Sequence, residues 1–128
     1  MWKALPGFGG TALIYPFMLT EGTRRGLSLE RIVNLVSTNP ARAYGLAPRK
    51  GMIAVGCDAD LAIVDMKEAY TVTPERLLSA QEYTPFEGMK LTGWPTHTIL
   101  RGHTAFANGA VVGQPLGTYL KRPIHIEA

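Results

Sequence analysis

At 128 residues the chain is long enough for one ordinary domain and its core, but a complete catalytic barrel, which takes about 250 residues, is excluded. Close to half of the residues are apolar and only 18% are charged, which suits a globular protein and excludes a disordered one. The formal net charge of +3 comes from scattered pairs (Arg24-Arg25, Arg49-Lys50, Lys121-Arg122) without regularly interleaved aromatics, so they read as solvated surface and not as a nucleic-acid footprint.

In chain order, Gly7, Gly9 and Gly10 precede an apolar segment with Pro16 near its start and Gly26 at its end, which predicts a helix from about Ile14 to Arg25. Ser28 reads as an N-cap with Glu30 in the first turn. Leu29, Ile32, Val33 and Val36 then recur at helical spacing as a buried stripe, with Arg31 and Asn34 facing water. In "STNPARAYGL", Asn39 can cap a second short helix with Pro40 at its first position and Gly45 as its left-handed stop. The first part of the chain is therefore helical.

After Arg49 the pattern changes. Gly51 and Gly56 punctuate the chain, and Leu61 to Val64 form a continuous apolar run between Asp60 and Asp65, the signature of a buried strand. A second strand is expected from Tyr70 to Thr73, and Thr73-Pro74-Glu75 opens a short helix to about Ser79. Thr96 to Arg101, Thr104 to Ala107 and Ala110 to Val112 then read as a meander, turning at Arg101-Gly102 and at the strong Asn108-Gly109 signal. The tail from Gln114 shows no period and is expected to wrap the domain as coil. There is no internal repeat.

Four features invite a chemical reading. Cys57, Asp58 and Asp60 are metal-ligand types within four residues, but two carboxylates and a thiol fall short of the four ligands of zinc or the six or more oxygens of calcium. Turn chemistry accounts for them better: Gly56 gives a permissive backbone, Asp58 a side-chain-to-backbone hydrogen bond, and Asp60 the end of the turn. The histidines, His97 in a strand, His103 at a turn and His125 in the tail, share no HxH or HExxH spacing. Cys57 has no base beside it and an adjacent carboxylate, which argues against a nucleophile. The glycines of "PGFGG" could present amides to an anion, but without GxGxxG or GK[ST] a phosphate role is weak, and close approach to a ligand remains open.

Cysteine usage and hydropathy bound the setting. One cysteine excludes an internal disulfide and fits a reducing compartment, so a cytoplasmic location is expected. The longest mostly apolar run, Ala12 to Leu19, is too short to span a bilayer and contains Pro16, so no membrane partner is expected. The first residues carry no pattern of a secretion signal.

The string "SLERIVNLVSTNPARAYGLAPRKGMIAVGCDADLAIVD" resembles the C-terminal part of the cyclic amidohydrolases, namely hydantoinases, dihydropyrimidinases, allantoinases and dihydroorotases. Their S-T-N-P-A-[RK] ending stands at Ser37 to Arg42, and their P-x-K-G-x-I-x-x-G-x-D-A-D-[LI] run at Pro48 to Leu61. "YTPFEGMKLTGWPTHTILRGHTAFANGAVV" is similar to their Y-[ST]-P-F-E-G loop and closing strands, and the likeness runs from about Leu5 to Arg122.

This resemblance implies an α+β chain: residues 1–48 as the terminal helices of a metal-dependent (β/α)8 amidohydrolase barrel, and residues 49–128 as the C-terminal share of a small β-sandwich with a wrapping tail. In the full-length family a binuclear centre, usually zinc, is held by an HxH pair, a carboxylated lysine, two histidines and an aspartate, and its hydroxide attacks the carbonyl of a cyclic amide or ureide substrate. None of those motifs stands in this chain, so the resemblance implies no catalytic residue, no metal ligand and no cofactor here, and a chain inactive alone. The alternative is a stand-alone, non-catalytic association module derived from an amidohydrolase. Pro6, Gly7 and Phe8 match the loop after the last barrel strand, where backbone groups lie near the substrate ring. Leu5-Pro6-Gly7-Phe8 lacks the asparagine that some members use there. Without a barrel to cover it, the stripe Leu29, Ile32, Val33, Val36 would be exposed, so self-association is expected.

Overall fold

The computed structural model describes residues 7–121. Helix α1 (residues 11–24) opens with a 3-10 turn at Thr11–Leu13, continues as α-helix over Ile14–Phe17 and widens into a π turn at Met18–Gly22. It begins a turn earlier than expected, with Pro16 in the first turn of the α segment. It ends as predicted: Gly26 (φ +82°) donates to Thr23 at 2.9 Å while Leu27 donates to Gly22 at 2.9 Å, the paired bonds of a left-handed glycine stop.

Helix α2 (residues 29–43) repeats this ending, with Gly45 donating to Arg42 at 3.1 Å and Leu46 to Ala41 at 2.7 Å. The two helices expected on either side of Asn39 are one continuous helix. Thr38 and Asn39 both have helical dihedrals and no side-chain cap, and a π turn at Asn34–Thr38 lies immediately before Pro40. Proline removes an interior N–H and crowds the preceding turn, and the wider π turn accommodates both effects. Of the expected stripe only Ile32 is buried, at 1% exposure. Leu29 and Val33 are half exposed and Val36 is intermediate, so the stripe is only partly covered.

Four strands form one sheet in the order β1-β2-β3-β4: β1 (Leu61–Thr71), β2 (Lys90–Leu100), β3 (His103–Ala107) and β4 (Ala110–Val111). β2/β3 and β3/β4 are antiparallel, with a bulge where the register jumps between Thr98 and Ile99. The Arg101-Gly102 and Asn108-Gly109 turns have positive φ at both residues, the geometry that matches hairpin twist. Three expectations change. The two strands expected between Leu61 and Thr73 are one, and the apolar run Leu61–Val64 is not buried: Ile63 is about half exposed. The run lies in the edge strand of the sheet, and its apolar faces are only partly covered. β2 runs back through Gly93 and Pro95, both of which read locally as breakers. Pro74–Leu77 is a 3-10 turn, as expected for a short helix opened by Thr73-Pro74.

By packing, the chain divides into two units. The first comprises Met1–Ser28 and Asp65–Trp94, the second Leu29–Val64 and Pro95–Ala128. The first is cored by Leu13, Val72, Leu77, Leu91 and Trp94, with Phe17, Tyr70, Phe86 and Met89 packed around them. Here α1 lies directly against β2: Thr92 donates its N–H to Thr20 Oγ1 at 2.8 Å. A Cβ on Gly93 would stand 2.7 Å from Leu19 Cδ1, and this is why the strand tolerates a glycine. Arg76 stacks over Tyr70 at 3.8 Å, and the Trp94 indole donates to Leu91 O at 2.8 Å. The second unit buries Ile32 and Ala41 of α2.

Candidate functional site

Pro6 lies outside the described residues; Gly7 and Phe8 lie within them. The segment from Gly7 to Gly10 is held by one stretch of the same unit, residues 79–86. The Tyr83 hydroxyl donates to the Gly7 carbonyl. Phe8, 46% exposed, meets Phe86 edge to face with ring centroids 5.6 Å apart, and Phe86 in turn packs on Phe17 of α1 at 5.3 Å. A Cβ on Gly9 would lie 2.5 Å from Ser79 Oγ, so only glycine fits there. The supporting stretch has its own anchors. Thr84 is buried at 6% exposure, its hydroxyl accepts from Phe86 N at 3.4 Å, and Gly88 N donates to Val72 O at 3.0 Å, where Val72 N returns a 2.8 Å bond to Met89 O. The result is a half-exposed aromatic ring and a run of backbone groups on a fixed support. The titratable side chain that reaches it is Tyr83, whose hydroxyl is committed to the Gly7 carbonyl. The loop can line a site for a flat ring, but it does not itself supply acid–base chemistry.

In the second unit, the Cys57, Asp58, Asp60 stretch forms an ionic knot. Asp58 Oδ2 accepts from Arg49 Nε at 2.8 Å and lies 2.7 Å from Lys50 Nζ, while Asp60 Oδ2 takes the same ammonium. Asp60 Oδ1 accepts the backbone N–H of Arg101 at 2.8 Å, beside Gly102 N donating to Ala59 O at 3.0 Å, so the loop is tied to the tip of the β2–β3 hairpin. Arg49 and Lys50 are therefore not the free solvated pair expected from the sequence: they are committed to carboxylates eight to ten residues on. The Asp58 carboxylate serves these cations instead of closing its own turn. Lys50 hydrogen bonding and charge, reinforced by Arg49, hold Asp58 below its ordinary range against the opposing effect of burial. Burial pushes Asp60 up, but Lys50 and the Arg101 N–H outweigh it and leave it lowered; burial pulls Lys50 down, and the two carboxylates more than restore it. Cys57 is half-buried and points its thiol at Pro48 O, 3.1 Å away. Thr38 Oγ1 of α2 donates to Gly51 O at 2.8 Å and docks the start of the loop.

The family centre implied by the resemblance does not fit this donor set. Among the described residues, no group of three or more His, Cys, Asp or Glu side chains converges on a point. His97 stands in β2 with Nδ1 3.1 Å from Thr96 Oγ1, and His103 opens β3 exposed. His125 lies outside the described residues. Asp58 and Asp60, the only acidic pair at short spacing in this loop, are occupied by Lys50. Among the described residues no helix is long and apolar enough to cross a membrane.

Residues 9–105 match the model of the Amidohydrolase family. The chain is 40% identical over 124 residues to the L-hydantoinase of Paenarthrobacter aurescens, covering 95% of this chain and 27% of that protein. It is 37% identical over 112 residues to the dihydroorotase of Methanothermobacter thermautotrophicus, covering 88% of this chain and 26% of that protein. A crystal structure of a D-hydantoinase superposes with a TM-score of 0.80 at 40% identity, over 85% of this chain and 24% of that one. The chain thus spans about a quarter of the length of the curated relatives it matches.

Proposed function

We propose that this chain, which belongs to the amidohydrolase family, is the C-terminal part of a cyclic amidohydrolase that opens a ring amide or ureide such as a hydantoin or dihydropyrimidine. On this reading residues 1–48 are terminal helices of a (β/α)8 barrel and residues 49–128 its share of a small β-sandwich. The observation that carries the reading is 40% identity to a hydantoinase over a match that covers 95% of this chain, and so takes in both the Gly7–Gly10 loop and the Arg49–Asp60 knot. Among the described residues no donor set fits a metal centre; on this reading the ligands, zinc in most of the family, belong to other residues and the chain alone is inactive. Its own contribution is the backbone and ring of Gly7 and Phe8, with Pro6 beside them, against one side of the substrate. Relatives that act on different rings match the chain at similar identity, so ring choice is assigned to residues elsewhere. The single half-buried thiol is consistent with a cytoplasmic setting.

The test is a fusion in which this chain replaces the matching segment of the Paenarthrobacter aurescens L-hydantoinase. Zinc-dependent hydrolysis of hydantoin by the fusion, with none by the chain alone, is expected; turnover by the chain alone, or a folded fusion that turns over nothing, refutes it.

A second reading, association through this chain, is favoured by the exposure of Leu29 and Val33 on α2 and of Ile53, 88% exposed, in the loop after Gly51. A purely monomeric chain across a concentration series in sedimentation would refute it.

A further inference from the structure

The geometry points to Tyr83, Phe86 and Ser79 as positioning residues for the substrate-side loop Gly7–Gly10. The inference rests on the reading above that this loop faces the ring substrate. Three consecutive loop residues are each set by a different contact. The Tyr83 hydroxyl takes the Gly7 carbonyl, which fixes the peptide plane that leads into Phe8. Phe86 meets the Phe8 ring edge to face at 5.6 Å and is itself backed by Phe17 at 5.3 Å, so the ring is fixed from behind while 46% of the residue stays exposed. Ser79 stands where a Cβ of Gly9 would be, at 2.5 Å from its Oγ and 2.6 Å from its Cβ, which sets how closely the loop seats. The Ser79 hydroxyl accepts from Gln81 N at 3.2 Å, so it is held in place.

The contacting residues come from 79–86, seventy or more positions further along the chain, and the stretch is anchored by buried Thr84 and by the Val72–Gly88–Met89 exchange. A loop held at three successive residues by a packed support is preorganised, and a flat ring amide docking on it is spared the ordering cost that a free glycine loop would carry. Tyr83, Phe86 and Ser79 touch the loop and not the reacting atoms, so they act through it.

The test uses the intact chain first. In two-dimensional NMR, Tyr83→Phe should shift the Gly7 carbonyl and the Phe8, Gly9 and Gly10 amides while leaving the Asn108-Gly109 turn in place. Gly9→Ala should displace the same signals, and adding Ser79→Gly, which deletes both clashing atoms, should return them. In the hydantoinase fusion, Tyr83→Phe should lower kcat/KM about tenfold, equivalent to about 1.4 kcal/mol, mostly by raising KM. Gly9→Ala should do the same and Ser79→Gly should rescue it, a pattern that simple loss of folding does not give.

Unmoved loop signals in Tyr83→Phe, or no rescue by Ser79→Gly, overturn the assignment. So do loop signals that move while kcat and KM of an active fusion stay constant. A parent fusion without turnover refutes the functional reading instead, and the spectra of the chain then decide the positioning claim by themselves.

Discussion

Gly51→Ala is the substitution whose outcome the structure fixes most closely. Gly51 lies in the loop after α2 at φ +91°, where an L side chain costs about 1–2 kcal/mol. An added Cβ would also stand 2.5 Å from Ala41 Cβ, 3.3 Å from Ser37 O and 3.3 Å from Thr38 Cα. Two of those neighbours are helix backbone and the third is a side chain with no rotamer to change, so the helix and loop must separate, at about 1–3 kcal/mol. The sum, about 3 kcal/mol, corresponds to a drop of about 1.5 M in the urea midpoint for a slope near 2 kcal/mol/M. Gly56→Ala is the control: the same φ of +91° with nothing within 4 Å of the new Cβ, so it carries only the backbone strain, about 1–2 kcal/mol. Urea unfolding followed by far-ultraviolet circular dichroism measures both. Ala41→Gly removes the nearest clash, so it should cost less in the Gly51→Ala background than alone, where it carries the helical glycine penalty of about 1 kcal/mol. Equal losses for Gly51→Ala and Gly56→Ala, with additive behaviour of Ala41→Gly, would refute the close packing of this loop on α2.

Asp58 and Asp60 are both lowered in the folded chain, so their stabilisation is present above the unfolded carboxylate range, near pH 4, and is lost as pH falls through the lower folded values. Asp60→Asn should flatten this acid limb of a melting-temperature profile, and an unchanged limb would contradict the ion pairing. Lys50, raised by the same carboxylates, contributes stability below its unfolded value of 10.5 that disappears as pH rises through the folded one; Lys50→Met should remove that alkaline loss. Arg76→Met, which keeps the aliphatic stem but deletes the cation over Tyr70, should cost about 0.5–1 kcal/mol in the same unfolding assay. Zinc added to the chain should leave its melting temperature unchanged, since a ligand that binds only the folded state would raise it.

What could be read from the sequence divides along the range of the interactions involved. Gly26, Gly45 and the Arg101-Gly102 and Asn108-Gly109 turns were legible because each is set by the dihedrals of one or two residues and by hydrogen bonds within a single turn. The merged helix at Asn39-Pro40 was not: a proline after a capping residue reads as a start, and only the π turn before it lets the helix continue. β2 was read too short because Gly93 and Pro95 look like breakers, and the reason for the glycine, Leu19 of α1, is 74 residues away in sequence. The ion pairs of Arg49 and Lys50 were read as free charge because single-residue patterns carry no partner information. The same holds for Tyr83, whose hydroxyl reaches Gly7 across 76 positions. In that case the family-like motif marked the residue but gave no role to it.

Those two motifs, the Arg49–Asp60 run and the Tyr83–Gly88 run, belong to different packing units and share a property. Each spends its polar groups on the chain itself: Asp58 and Asp60 on Lys50, Arg49 and the Arg101 amide, Tyr83 and Thr84 on backbone groups of their own unit. A carboxylate held below its ordinary range by two cations is a poor proton acceptor near neutrality, and a hydroxyl committed to a carbonyl is not a poised nucleophile. Polar groups engaged in this way hold loops in place. On the proposed reading, that is the property required of the scaffold behind Gly7 and Phe8, where the Phe8 ring stays 46% exposed on its support.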